Sequence, residues 1–213
     1  MAGAVGVLVQ TLSISERRKE RVRSVLSGRL QSVVVILEAV NRRHNSSAIL
    51  RTCECFGLHE VHMVSAGFTP SKGAARGSER WLEVVEHEDT AQCVAQLKER
   101  GFKIYAADLD DTAHSPDTLP IQGNVAILMG AELTGVSDMA RSLVDGFICV
   151  PMHGMTESLN VSVASACILS RLAERKRAQV GGGDLSEARI EAFFETWEAS
   201  EDRSIQAIKA RSG

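Results

Sequence analysis

The sequence predicts an α/β protein built on a parallel sheet. Three observations carry that expectation. Short β-branched runs alternate with stretches of helical periodicity from about residue 32 onward. The runs are apolar throughout, as strands buried on both faces are. The 213 residues, 44% hydrophobic and 24% charged, suffice for one domain with short additions.

The elements follow in order. Met1 to Ile14 carries no charge, and no basic start precedes it as a secretory signal would require. Glu16 to Leu30 reads as an amphipathic helix, with Val22, Val25, Leu26 and Leu30 on one face and Arg17, Arg18, Lys19, Arg21, Arg23 and Arg29 on the others. Ser32 to Leu37 is a β-branched strand. Asn45 offers an N-cap for a helix through Phe56, closed by Gly57. Strands are expected at Glu60 to Val64, Lys103 to Leu109, Asn124 to Met129 and Gly146 to Val150. Helices are expected at Asp89 to Arg100, Ser137 to Val144 and Leu159 to Lys176, the last capped by Ser158 with Asn160 in its first turn. Gly181, Gly182 and Gly183 break the chain. Beyond them Ile190, Phe193, Phe194 and Trp197 form an apolar stripe that must cover itself on the main domain or on a partner subunit. The domain expectation is an N-terminal extension over 1–31, a core over 32–178 and a C-terminal extension over 184–213.

Several function classes drop out. No apolar run nears the roughly 18 residues of a membrane helix. Five cysteines without regular spacing suit a reducing compartment, and Cys53 and Cys55 read as small core residues. Nine aromatic residues are few for a single-strand binder built on stacking. His59 and His62 lack a third ligand nearby in sequence, so no metal site is expected. The chain has neither G-x-G-x-x-G after a strand nor G-x-x-x-x-G-K-[ST], and no G-x-S-x-G. The formal net charge of −3 hides a basic N-terminal helix and a cluster of Arg171, Arg175, Lys176 and Arg177, both candidate phosphate contacts.

Ligands in open α/β sheets bind beyond the carboxyl ends of the strands. Three polar loops occupy such positions: NRRHNSSAILRT (41–52), MGAELTGVS (129–137) and VPMHGMTESLNV (150–161). Taken singly each has a plain explanation, a cap at Asn45 or Ser158, turns at Gly130 and Gly135, a solvated carboxylate at Glu132. Together, in this order and each after a strand, they resemble the three motifs of the SpoU (TrmH-type) RNA ribose 2′-O-methyltransferases. The first is N-x-x-x-x-x-R-T from Asn45 to Thr52. The second is an apolar strand and G-x-E-x-x-G from Ile127 to Gly135. The third is P-M-x-G with S-L-N-V-S-V-A from Pro151 to Ala164.

That resemblance implies a trefoil-knotted α/β domain, a homodimer, and S-adenosyl-L-methionine held by loop residues Ala107, Gly130, Val150, Met152 and Leu159, with no metal. It places Arg51 at the reacting ribose oxygen, as general base or as stabiliser of the developing alkoxide. Asn45 orients Arg51 or the ribose, and Glu132, Ser158 and Asn160 shape the pocket. The surroundings of the first motif resemble the branch acting on guanosine 18 of tRNA, so tRNA is the expected substrate. Phosphate contacts would come from Arg17, Arg18, Lys19, Arg21, Arg23, Arg171 and Arg175. Ribosomal RNA, a wobble ribose or a non-catalytic RNA-binding role are the alternatives. The expected compartment is the cytoplasm, with an organelle left open.

Overall fold

The computed structural model describes residues 13–64 and 77–212, and the uncharged leader therefore falls almost wholly outside the described residues. The chain divides into two compact units, Arg29–Asp184 and a second made of Met1–Gly28 with Leu185–Gly213.

The larger unit is a six-stranded parallel sheet between helices. Its elements are β1 (Val33–Glu38), α2 (Arg43–Cys55), β2 (Glu60–Val64), β3 (Glu83–His87), α3 (Thr90–Glu99), β4 (Phe102–Ala107), β5 (Asn124–Met129), α4 (Asp138–Leu143), β6 (Gly146–Ile148) and α5 (Val161–Val180). Helix α1 (Glu16–Ser27) and helix α6 (Glu187–Ser212) belong to the smaller unit. The strand order is β3-β2-β1-β5-β4-β6, with β1 and β5 side by side at the centre, Val33 opposite Val125 and Leu37 opposite Met129.

The apolar runs explain the layering. Every residue of β1 is buried, and successive side chains serve opposite faces. Val33, Val35 and Leu37 join Ile127 and Met129 against Ile49 and Leu50 of α2 and Ile168, Leu169 and Leu172 of α5. Val34 and Ile36 join Ala126 and Leu128 against Val94 and Leu97 of α3 and Ala140 of α4. Two helical layers thus cover a sheet with no wet face at its centre.

Several sequence expectations need correction. Strand β3 has no counterpart among the strands expected from the sequence. It is an edge strand, EVVEH, with one buried residue in five, so it shows no apolar run. Asn45 is not the cap of α2: Arg42 is, and Asn45 lies inside the first turn, buried at 1% exposure. Ser158 does not cap α5; Asn160 does, its side-chain oxygen accepting from the amides of Ser162 and Val163. Cys53 is buried as expected, but Cys55 is exposed.

In the smaller unit α1 packs along α6. The apolar stripe of α6 is covered there: Ile190, Phe194 and Trp197 are buried, the Arg23 guanidinium lies 3.8 Å from the Phe194 ring centre and that of Arg18 5.7 Å from Trp197. The stripe therefore has a partner within the chain's own N-terminal segment, an arrangement the sequence reading did not include. Val25, expected on the apolar face of α1, is exposed.

Candidate active site

The polar loops meet at the carboxyl ends of β1, β4, β5 and β6. They surround a cavity of about 410 Å³, within the size range of small-molecule sites. All five positions expected to hold a cofactor line it: Ala107 at the end of β4, Gly130 after β5, and Val150, Met152 and Leu159 after β6. Glu132, Ser158 and Asn160 line it as well, with Met129, Ile148, Val161, Ala164 and Ile168 as apolar wall. Asp108 also borders the cavity, and Arg141 of α4 holds it in an ion pair while reaching Asp110 at 3.0 Å.

The loop after β5 explains its glycines. Ala131 and Gly135 exchange two backbone hydrogen bonds of 2.9 Å, pulling the loop into a tight return. A Cβ at Gly130 would stand 2.3 Å from the carbonyl carbon of Gly135 and 2.4 Å from the nitrogen of Val136, so no side chain fits. Gly135 itself has φ +69°, a conformation that L side chains rarely adopt.

One hydrogen-bonded chain joins the three motifs. The Asn160 amide donates to Asn45 Oδ1 at 3.2 Å, and the Asn45 amide donates to Glu132 Oε1 at 3.0 Å. The backbone N–H of Arg42 donates to the same oxygen at 3.1 Å. Burial works to raise the Glu132 pKa, but the bonds from Asn45 and from the backbone at 132, 42 and 41 outweigh it and hold the carboxyl below its ordinary value. Asn160 serves two ends at once, capping α5 with its oxygen and reaching Asn45 with its nitrogen.

Glu38 lies outside the three motifs yet supports the site. It is buried at the end of β1, where its carboxylate accepts from the Ser137 amide (3.0 Å), the Ser137 hydroxyl (2.8 Å) and the Thr90 hydroxyl (2.7 Å). It thereby anchors the start of α4 and the far end of the Gly130–Gly135 loop. An acidic residue closing an otherwise apolar strand was the available signal.

Arg51 stands apart. It is exposed on α2, does not line the cavity, and its side chain makes no hydrogen bond or ion pair among the described residues.

The expected basic surface is also rearranged. Arg18 pairs with Glu201 at 3.1 Å, Lys19 with Glu198 at 2.7 Å, and Arg23 with Glu191. The acidic residues of α6 therefore engage the cations of α1, while Arg17 and Arg21 are exposed without a partner among the described residues. In the other cluster Arg171 pairs with Asp117 at 2.7 Å, and Arg175 donates to the carbonyls of Pro116 and Leu119. Lys176 is buried on the carbonyls of Ile121 and Gly123. Arg175 and Lys176 fasten α5 to the segment before β5, which corrects the expectation of a free basic patch.

The model of the SpoU rRNA Methylase family matches residues 32–170, the span that contains the sheet and all three loops. The chain belongs to the SpoU rRNA Methylase family. Among similar SpoU proteins is a tRNA (guanosine(18)-2′-O)-methyltransferase of Thermus thermophilus, 41% identical over 169 residues, which are 78% of this chain and 87% of that one. A protein of the same name from Escherichia coli is 41% identical over 166 residues, 77% of this chain and 72% of its own. The crystal structure of the Aquifex aeolicus TrmH/SpoU tRNA modifying enzyme superposes with a TM-score of 0.79 at 32% identity, covering 87% of this chain and 97% of that chain.

Proposed function

We propose that this SpoU protein transfers a methyl group from S-adenosyl-L-methionine to a ribose 2′-oxygen of tRNA, at guanosine 18. The observation that carries this reading is the Asn160–Asn45–Glu132 chain at the mouth of the cavity, which unites all three SpoU motifs in one site. The substrate assignment rests on the names of the relatives, which span most of both chains.

The cavity fits the cofactor chemically. Gly130 can present only backbone, and Val150, Met152 and Leu159 provide apolar contact, the surroundings that suit an uncharged nucleoside ring. When bound, S-adenosyl-L-methionine supplies an electrophilic methyl group on a sulfonium centre. Ala107, Gly130, Val150, Met152 and Leu159 hold it in this reading. Asn45, itself held by Asn160, fixes the Glu132 carboxylate and helps keep its pKa below the ordinary value, and Ser158 shapes the nucleotide side of the pocket.

A ribose hydroxyl is a weak nucleophile until it loses its proton. Arginine stays protonated in proteins, so Arg51 acts as stabiliser of the developing alkoxide while water accepts the proton. Because Arg51 lies outside the cavity of its own chain, it acts once RNA or a second chain completes the site. A homodimer and a trefoil knot through the motif loops belong to this proposal. Apolar surface exposed at Leu133, Leu159 and Val163, at or near the cavity, supports a covered face there. Arg17 and Arg21 are the proposed phosphate contacts on α1, joined by Arg18, Lys19 and Arg23 when their acidic partners release them, and by Arg171 on α5. The test is methyl transfer from radiolabelled S-adenosyl-L-methionine to unmodified tRNA and to ribosomal RNA transcripts. Label on tRNA alone is expected; label on ribosomal RNA alone would replace the substrate assignment.

A further inference from the structure

On the opposite edge of the sheet, three buried side chains from three elements converge: His62 in β2, His87 at the end of β3 and Cys93 in α3. Their donor atoms all lie within 4.8 Å of one another, and His62 Nδ1 is 2.8 Å from His87 Nε2. Behind His62, Glu60 Oε1 sits 2.7 Å from Nε2, and Arg100 holds the Glu60 carboxylate with bonds of 2.5 and 2.9 Å. Nε2 makes no hydrogen bond of good geometry, so Glu60 acts on the ring through its charge, and His62 presents Nδ1 to His87 and Cys93. A carboxylate behind a histidine ligand is common in metal sites.

We propose that His62 Nδ1, His87 Nε2 and Cys93 Sγ form a site for a zinc-type divalent cation, with Glu60 as the positioning residue for His62. Two imidazoles and a thiolate are the donor types that zinc selects, and three protein ligands leave a fourth position for water. Bond lengths of about 2.0–2.3 Å place tetrahedral ligands roughly 3.4–3.6 Å apart. The imidazole pair therefore opens by about half an ångström, and Cys93 Sγ, at most 4.8 Å from either nitrogen, moves in by no more than about 1.3 Å.

Without metal, His62 Nδ1 and His87 Nε2 share one hydrogen bond and the thiol keeps its proton, burial having pushed the Cys93 pKa up to about 12. On binding, each imidazole carries its single proton on the nitrogen facing away from the ion, and the sulfur–metal bond forms as the thiol proton leaves. One proton is released per ion. The ion cross-links β2, β3 and α3 where β3, with a single buried residue, has little core of its own.

The test uses the full chain, stripped of metal with a chelator, reduced, and titrated anaerobically with cobalt(II). One equivalent is expected to give the visible bands of tetrahedral cobalt and a near-ultraviolet thiolate-to-cobalt band. Cys93→Ser should abolish the near-ultraviolet band, whereas Cys55→Ser and Cys167→Ser, at exposed thiols, should keep it. Glu60→Gln should weaken binding about 10–100-fold. Zinc should raise the melting temperature of the wild type and leave that of His87→Gln unchanged, a readout that survives if Cys93→Ser fails to fold. Absence of stoichiometric cobalt binding overturns the proposal, as does a thiolate band that persists in both Cys93→Ser and His87→Gln.

Discussion

Replacing Gly130 by Ala adds a single methyl group where the backbone leaves no room. The new Cβ would meet the Gly135 carbonyl carbon at 2.3 Å and its oxygen at 2.4 Å. Carbon contacts settle near 3.5–4.0 Å, so the loop must part by more than about 1 Å. The obstacles are backbone atoms locked by the paired Ala131–Gly135 hydrogen bonds, so no side-chain rotation relieves the clash. Overpacking of this kind costs about 1–3 kcal/mol, and each of the two backbone bonds forfeited adds about 1 kcal/mol. Gly130 also lines the cavity, and a displacement of about 1 Å there is worth about 100-fold in rate. Denaturant unfolding and single-turnover methyl transfer measure these two consequences, and calorimetric titration with S-adenosyl-L-methionine adds the cofactor affinity. Gly154→Ala is the matched control, because a Cβ there meets nothing within 4 Å. Gly130→Ala with the stability and cofactor affinity of Gly154→Ala would show that the loop accommodates a side chain at position 130.

Arg51→Ala should lower the turnover of methyl transfer roughly 100–1000-fold, the range for one stabilising donor, with cofactor affinity unchanged because Arg51 does not line the cavity. Equal loss of both in rapid-quench and binding assays would remove Arg51 from the reaction. Glu132 is held below its ordinary pKa, so its network contributes stability in full above the unfolded glutamate value of about 4.3, and that contribution disappears as pH falls through the lower folded value. Glu132→Gln should flatten this acid limb in urea melts between about pH 5 and 3, and an unchanged limb would assign it to other carboxylates. Glu198→Gln with Glu201→Gln frees Arg18 from its ion pair and leaves Lys19 only its longer one with Glu16 at 3.4 Å, which phosphate can displace. Affinity for tRNA should rise and its logarithmic salt dependence steepen by about 1.4–1.8 for two freed cations. An unaltered salt slope would show that α1 does not meet phosphate.

The centre of the molecule was legible because its chemistry is local in sequence. SVVVIL and NVAILM can hardly be anything but strands buried on both faces, and β1 and β5 are the central pair. The three loops could be read because each follows its strand directly. What stayed hidden depends on partners distant in the chain. Asn45 looks like a cap until Glu132 and Asn160 close on it from 87 and 115 residues away. Strand β3 gains its structure by pairing with β2 and has too few buried residues to announce itself. The stripe on α6 showed that something must cover it but carried no mark of α1 as the cover. His62, His87 and Cys93 have no ligand spacing in sequence, since strand register and helix packing bring them together.

Methylation at guanosine 18 requires one oxygen atom of the tRNA, the 2′-hydroxyl of that nucleotide, and a substrate without it isolates the reaction. Two synthetic tRNAs, identical except for 2′-deoxyguanosine at position 18 in one, are incubated with the protein and labelled S-adenosyl-L-methionine. The ribose form should take up about one methyl group per molecule, as a single site per tRNA requires, and the deoxy form none. Equal labelling of both would place the methyl group elsewhere and contradict the assignment to guanosine 18.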